Sequence, residues 1–239
     1  AVRASGFYRK RAGWVDATPR LAAIPVPTMS LEDDNINDNE SYGGRGSVLF
    51  QPTEQLSIRL TAYLQNLRTH ASSSVEVDPV NFDPIHGDYG QTVFVPEFSR
   101  IKYRIYNATV EYDFGFANLL SATSYGKLNT NFRTDLTLPL AGLINTLVGP
   151  FSPFPDGAPV GPPNPFPLPW PVQVSDELMG VYQDQQTGVK KFTQELRLAS
   201  PSNDVFEWMV GAYYTKEDGI IDQHINGVVL ADPDFDDAG

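Results

Sequence analysis

Cysteine, long apolar runs and positive charge are all scarce or absent in this sequence of 239 residues. With no cysteine, disulfide frameworks and thiolate metal sites are excluded. No apolar run approaches the eighteen or so residues that a transmembrane helix needs, which argues against a helical membrane protein. Because 17 Lys and Arg stand against 29 Asp and Glu, the net charge is -12, which argues against a nucleic-acid-binding protein.

Sequence signatures of catalysis and metal binding are also missing. There is no G-x-S-x-G elbow, HExxH motif or phosphate-binding loop, and the three histidines do not occur at ligand spacing. The acidic run that begins at Glu32 has no glycine before Gly43, so it favours a solvated loop end over a calcium loop. We therefore predict no enzyme, no metal and no cofactor, with a hydrolase built on the plentiful carboxylates as a weak alternative.

Alternation of apolar and polar residues with a period of two is the strongest positive signal. It is clearest from Leu56 to Gln65, and it recurs on both sides of the turn that follows Ala199. The pattern predicts an all-β chain of about seven antiparallel strands in up-and-down order. The predicted strands are Arg3–Asp16, Tyr42–Phe50, a strand that starts at Leu56, Arg100–Asp113, Asn118–Asp135, Gly188–Ala199 and Val205–Asp222.

Short and long connections alternate along the chain. The predicted short turns are Gln51–Gln55, Asp113–Ala117 and Ser200–Asp204, and all the remaining connections are long. This asymmetry is typical of outer-membrane barrels, which have short periplasmic turns and long extracellular loops, and it is not typical of soluble sandwiches. The strands that leave the short turns would then run outward.

Residues 136–187 are predicted to form the longest loop. Ten of the chain's 20 prolines lie between Gly149 and Pro171, which favours an extended, polyproline-like segment without ladder hydrogen bonds. Apolar residues at helical spacing predict a short helix within Leu138–Val148. The aromatic residues Phe154, Phe166 and Trp170 are candidate ligand contacts, although packing back on the loop is a simpler explanation for them.

The last predicted hairpin also resembles a known family. Its sequence QELRLASP, followed by a short polar turn and W-x-x-G-x-Y-Y, is similar to the barrel hairpins of TonB-dependent outer-membrane receptors. RASGFYRKRAGWVD at residues 3–16 and NDNESYGGRGSVLFQPTEQLSIRLTAYLQ at residues 37–65 resemble the same family. The resemblance implies a partial transmembrane β-barrel with long extracellular loops, in the outer membrane of a Gram-negative bacterium.

The resemblance also implies a function and a set of partners. The function is active import of siderophore-iron or another large scarce nutrient, energised through the TonB energy-coupling complex. The implied partners are outer-membrane lipid, a plug domain and a small-molecule ligand such as a siderophore. Because transporters of this kind have about 22 strands around a plug, we expect residues 1–239 to be a fragment of one barrel domain without its plug.

In a barrel wall, charged side chains are expected to avoid the lipid hydrocarbon, so each residue of the predicted strands can be assigned to a lipid-facing or an interior face. Leu56, Ile58 and Leu60 would face lipid. Four residues are candidates for the interior, against a plug or a substrate: Arg59, Tyr63, Glu195 and Arg197. In the last hairpin, the residues expected to face lipid are Phe206, Trp208, Val210 and Tyr214, with Glu207 facing inward.

A soluble all-β ligand-binding module is the alternative. It would be, for example, a carbohydrate-binding domain that uses Trp170 and its aromatic neighbours as stacking platforms. This hypothesis predicts that the apolar faces of successive strands meet in an interior core.

Overall fold

The computed structural model describes residues 1–19, 21–23, 27–78, 80–140, 180–201 and 206–228. Seven long strands form one antiparallel sheet, and four short strands form two small sheets. In chain order the strands are β1 (Val2–Arg11), β2 (Asp16–Ala17), β3 (Leu21–Ala23), β4 (Pro27–Met29), β5 (Asn39–Phe50), β6 (Leu56–Thr69), β7 (Gly90–Gln91), β8 (Phe98–Asp113), β9 (Asn118–Asp135), β10 (Gly180–Ala199) and β11 (Met209–Val228).

The large sheet has the order β1-β5-β6-β8-β9-β10-β11, so each long strand pairs with the next long strand along the chain. Every one of these pairs is antiparallel. The prediction of seven antiparallel strands in up-and-down order is therefore confirmed. Within the described ranges, β1 and β11 each have one neighbour in the sheet and form its two edges.

Local polar contacts explain why the short connections turn where they do. Between β8 and β9, the Asp113 carboxylate accepts a hydrogen bond from the backbone N–H of Gly115 at 2.7 Å, and Gly115 has a φ of 82°, a conformation that favours glycine. Between β5 and β6, the Thr53 hydroxyl accepts from the N–H of Leu56 at 3.1 Å. After β10, the N–H of Ser200 donates to the Trp208 carbonyl at 2.9 Å, which extends the β10–β11 pairing beyond the strand ends.

Strand bounds differ from the predicted ones mainly at the long-loop end of the sheet. β9 has the predicted bounds, whereas β1 ends at Arg11 because Asp16 and Ala17 leave the sheet and pair with β7 in parallel. β10 begins at Gly180, eight residues before the predicted Gly188, so residues 180–187 belong to the sheet rather than to the predicted loop 136–187. The added stretch, GVYQDQQT, is mostly polar on both faces, so alternation gives no signal there.

The last strand begins and ends later than predicted. β11 starts at Met209 rather than Val205 and continues to Val228 rather than Asp222. Residues 137–140 form one helical turn, and the rest of the predicted helix Leu138–Val148 lies outside the described residues. In the part of the chain that the structure describes, no helix is long and apolar enough to cross a membrane.

The buried core lies among the long loops rather than on the large sheet. Val15, Phe94 and Val95 are completely buried there. Asn37 is 2% exposed, and its side-chain oxygen accepts hydrogen bonds from the backbone N–H groups of Trp14 at 2.7 Å and Val15 at 2.9 Å. The prediction of a solvated loop end is therefore wrong at Asn37. The side-chain nitrogen of Asn37 also donates a hydrogen bond to the Ser73 hydroxyl at 3.0 Å, so Asn37 joins the loop after β1 to the loop after β6.

Candidate functional site

The pairing register assigns every side chain of the large sheet to one of two faces. Side chains alternate along a strand, and residues directly opposite each other on neighbouring strands share a face. We call the face that carries Leu60 the apolar face, and the face that carries Arg59 the polar face. The chain of pairs from β1 to β11 makes these two faces continuous across all seven strands.

The apolar face carries a band without charged side chains, which extends from the short turns towards the long loops. It comprises Val2, Ala4, Gly6 and Tyr8 of β1; Tyr42, Gly44, Gly46, Val48 and Phe50 of β5; Leu56, Ile58, Leu60, Ala62, Leu64 and Asn66 of β6; Tyr106, Ala108, Val110 and Tyr112 of β8; Leu119, Ser121, Thr123 and Tyr125 of β9; Phe192, Gln194, Leu196 and Leu198 of β10; and Val210, Ala212 and Tyr214 of β11.

Charged residues in the same strand segments all lie on the opposite face. They are Arg3, Arg45, Arg59, Glu111, Glu195 and Arg197. Burial against protein does not explain this segregation, because the apolar band is uncovered. Leu60 is 52% exposed and Val210 is 60% exposed, and among the described residues of the large sheet Val181 is the only buried hydrophobic residue.

The apolar band is tallest on β6, where its height can be compared with that of a bilayer core. On β6 the band extends from Leu56 to Asn66, a length of about 33 Å at a rise of about 3.3 Å per residue. Strands of outer-membrane barrels are tilted by about 35–45°, so this length projects to about 25 Å along the membrane normal. The height on β6 equals that of the outward-facing apolar band of such barrels, about 25 Å, whereas the six residue steps of the band on β8, β9 and β10 project to about 15 Å.

The border of the band towards the long loops has two consecutive layers. The last band residue is aromatic on every long strand except β6, where it is Asn66: these residues are Tyr8, Tyr42, Tyr106, Tyr125, Phe192 and Tyr214. The next residue on the same face is charged on all seven strands: these residues are Lys10, Glu40, Arg68, Arg104, Lys127, Lys190 and Lys216. An aromatic girdle followed by charge is typical of a membrane interface.

This border crosses the sheet diagonally. Successive pairs place Lys10 of β1 level with Asp222 of β11, through Glu40, Arg68, Arg100, Asn131 and Gln186. On β11, however, the border residue is Lys216, six residues closer to the short turns than Asp222. A shift of six residues, about 20 Å, across six strand spacings of about 4.8 Å corresponds to an angle of about 35°.

The four predicted interior residues share the polar face but form two separate groups. On β6, Arg59 lies opposite Thr109, and the Tyr63 hydroxyl donates a hydrogen bond to the side chain of Gln65. On β10, Arg197 and Glu195 form an ion pair. β8 and β9 lie between β6 and β10, so about 14 Å separates the two groups.

Half of the predicted lipid-facing set in the last hairpin lies on the apolar face. Val210 and Tyr214 are there, and the ring of Tyr214 lies 6.3 Å from the ring of Phe192. Phe206 and Trp208 precede β11, so the strand register does not assign them to a face. The prediction that Phe206, Glu207 and Trp208 belong to the strand is therefore wrong.

A polar pocket of about 300 Å³ lies among the long loops, and no sequence pattern predicts it. The Gln91 side chain is 8% exposed in this pocket, and its nitrogen has no hydrogen-bond partner within the described ranges. Burial raises the pKa of the nearby Glu97 carboxyl above its usual value, although backbone N–H donors from Asp135 and Ser72 oppose the shift. The three carboxylates that line the pocket, those of Glu76, Glu97 and Asp135, already accept hydrogen bonds from protein groups.

The predicted loop contacts Phe154, Phe166 and Trp170 lie outside the described residues. Across the ranges that the structure does describe, no group of three or more His, Asp or Glu side chains could hold a metal ion.

Comparison with known proteins identifies no relative. No protein-family model, curated protein or solved structure matches the chain.

Proposed function

We propose that this chain forms seven adjacent wall strands of an outer-membrane β-barrel, with the apolar face towards lipid and the polar face towards the interior. The observation that supports this best is the uncharged, uncovered apolar band with its aromatic and charged border. A soluble sheet would cover such a face, because exposing it to water costs about 25 cal/mol for each Å² of apolar surface. In a bilayer the same surface has no such cost.

The diagonal border supports the same proposal independently of hydrophobicity. Membrane interfaces are planes, whereas barrel strands cross the membrane at about 35–45°. On a sheet of tilted strands, such a plane is therefore displaced along the strands between one side of the sheet and the other. The border is displaced in two steps, by four residues between β6 and β8 and by two between β10 and β11, and the total shift from Lys10 to Lys216 gives an average angle of about 35°, at the lower end of that range.

Strand direction gives the orientation of the wall. β1, β6, β9 and β11 run from the short-turn end to the long-loop end. With short turns on the periplasmic side, the packed loops around Phe94 and the polar pocket beside Gln91 face the outside medium. The edge strands β1 and β11 then pair with further strands of the complete barrel.

Within outer-membrane barrels, we propose a TonB-dependent receptor that imports siderophore-iron or another large scarce nutrient. This narrower assignment is supported by the resemblance of the β10–β11 hairpin and the β5–β6 hairpin to that family. In such a receptor Arg59, Glu195 and Arg197 would form salt bridges with a plug domain, with direct substrate contact as the alternative. The Pro150–Pro171 segment would belong to an outward loop that acts in uptake rather than in barrel assembly.

Deleting residues 150–171 from the complete protein tests the functional part of the proposal. We expect the deletion variant to reach the outer membrane and to keep its heat-modifiable gel mobility, because a segment so rich in proline is expected from its sequence to make no ladder hydrogen bonds. Uptake of the ferric siderophore that supports iron-limited growth should fall, and uptake by the parent should require TonB. Loss of membrane assembly in the deletion variant would contradict the loop assignment, and uptake without TonB would contradict the receptor assignment.

A further inference from the structure

Four basic residues form a continuous cluster on the apolar face, immediately beyond the aromatic girdle of β8 to β11. Arg104 lies directly opposite Lys127, and Lys127 lies directly opposite Lys190. Lys216 of β11 lies opposite Phe192, the girdle residue next to Lys190 on that face. We call these four residues the basic cluster.

The arrangement is electrostatically unfavourable within the protein alone. Like charges directly opposite each other on neighbouring strands repel, and here three cations lie in one row. In the part of the chain that the structure describes, no ion pair joins Arg104, Lys127 or Lys190 to a carboxylate. One carboxylate lies nearby: Asp218 of β11 is directly opposite Lys190 and is 3.5 Å from the Lys216 ammonium, so a single negative charge stands against the four cations.

The other end of the same border is different. Lys10, Glu40 and Arg68 are consecutive partners across β1, β5 and β6, so charge alternates there. The excess of positive charge is therefore local to β8–β11, in a chain whose net charge is -12. An anionic ligand from outside the chain would remove the repulsion.

Arg104 is held in position without being neutralised. Its guanidinium donates to the Gln65 carbonyl at 2.9 Å, to the Tyr103 carbonyl at 2.6 Å and to the side-chain oxygen of Asn66 at 2.8 Å. All three acceptors are uncharged. The guanidinium therefore keeps its full positive charge in a fixed position, which favours binding of a phosphate or carboxylate group.

We infer that the basic cluster binds the phosphate groups of membrane lipids in the leaflet next to the long loops. This inference rests on the proposed membrane orientation. The aromatic girdle lies at the level of the lipid headgroups, and the cluster lies one residue pair further out, where lipid phosphates are found. A lipid whose acyl chains pack on the apolar band would place its phosphate beside Lys127 and Lys190.

The matched variants follow from the register. The test variant carries Lys127→Gln and Lys190→Gln, and the ion pairs found among the described residues include neither ammonium. The control carries Lys191→Gln and Arg9→Gln, which remove the same charge from the polar face. Lys190 and Lys191 are neighbours in sequence on opposite faces, and Lys191 also forms an ion pair with Glu217 at 3.0 Å, so the control loses at least as many native contacts as the test variant.

The measurement is a native mass spectrometry titration of the complete, detergent-solubilised protein with phosphatidic acid or with phosphatidylcholine. Both variants must first show the same heat-modifiable gel mobility in membranes as the parent. If the parent protein itself fails to insert, that result contradicts the proposed function and is distinguished in this way from a failure of the basic cluster to bind lipid. We expect the apparent Kd for phosphatidic acid to rise about fivefold for each cation removed in the test variant, and to change little in the control. Binding of phosphatidylcholine should be similar in all three proteins.

An arm with inorganic phosphate distinguishes a lipid from a free anion. We expect inorganic phosphate to bind weakly and to compete poorly with phosphatidic acid, because it lacks the acyl chains that contact the apolar band. Tight binding of inorganic phosphate alone would overturn the lipid assignment. An unchanged Kd for phosphatidic acid in the test variant, or an equal increase in the control, would overturn the role of the cluster.

Discussion

Leu60→Arg should destabilise the folded barrel strongly, whereas Thr61→Arg on the next residue should have a small effect. Leu60 lies on the apolar face near the middle of the β6 band, about 10 Å from its lower edge at Leu56 when strand tilt is included. Thr61 lies on the polar face, where its hydroxyl is 3.2 Å from that of Ser47. The two substitutions add the same side chain to the same strand.

The expected difference follows from the cost of charge in hydrocarbon. An Arg at the bilayer midplane on the lipid face of a barrel costs about 2–4 kcal/mol, and this cost falls towards zero at the interfaces. At about 1.4 kcal/mol for each factor of ten, the folded-to-unfolded ratio of the Leu60→Arg variant should fall by about thirty-fold or more. Thr61→Arg should lose only the weak hydroxyl contact, about 1 kcal/mol.

The assay is urea unfolding of the complete protein in phosphatidylcholine vesicles, followed by heat-modifiable gel mobility. The Leu60→Arg variant should unfold at a clearly lower urea concentration than the parent, and Thr61→Arg should unfold close to the parent. Similar destabilisation by both substitutions would refute the assignment of the apolar face to lipid. A larger effect at Thr61 would indicate that the two faces are reversed.

Three further predictions concern other parts of the chain. Val210→Arg should lower the yield of folded protein in outer-membrane fractions much more than Met209→Arg, because these neighbours on β11 lie on opposite faces; equal yields would contradict this. Gly43→Ala should destabilise the sheet by about 1 kcal/mol or more in the same unfolding assay, because the added Cβ would lie 2.3 Å from the Leu64 carbonyl oxygen. Gly46→Ala is the control and should be tolerated, because no atom lies within 4 Å of the added Cβ. The raised pKa of Glu97 means that the folded loops bind its proton more tightly than the unfolded chain does. The stability of the loops should therefore fall as pH rises from the ordinary pKa of 4.5 through the raised pKa. Hydrogen exchange of the loop amides, corrected for intrinsic rates, should show this fall, and Glu97→Gln should abolish it.

The sheet could be predicted from the sequence wherever its two faces differ in polarity. β9 has the predicted bounds Asn118–Asp135, and the turns at 51–55 and 114–117 lie where the turn residues indicate. The prediction was wrong where polarity is equal on both faces, as at the start of β10 around Gln183 and Gln185. Alternation carries no information there, and backbone pairing with β9 and β11 alone continues the strand.

Some features of the candidate surfaces could be predicted from the sequence, and others could not. The common face of Arg59 and Arg197 follows from the period of two, and the register confirms it. The basic cluster and the diagonal border could not be predicted, because they depend on how β8, β9 and β10 align with one another. The pocket beside Gln91 depends on contacts between loops distant in sequence, for which no periodic pattern exists.

The most direct test of the membrane orientation is a spin-label scan of β6, made easier because this chain contains no cysteine. Each position from Leu56 to Asn66 is replaced by cysteine in turn in the complete protein, labelled, and reconstituted in phosphatidylcholine vesicles. We predict that collision with oxygen, which partitions into hydrocarbon, alternates with a period of two and is highest at the even-numbered positions, with a maximum near Leu60. Even-numbered positions that are instead most accessible to a water-soluble nickel chelate, or accessibility without alternation, would contradict the assignment of this face to lipid.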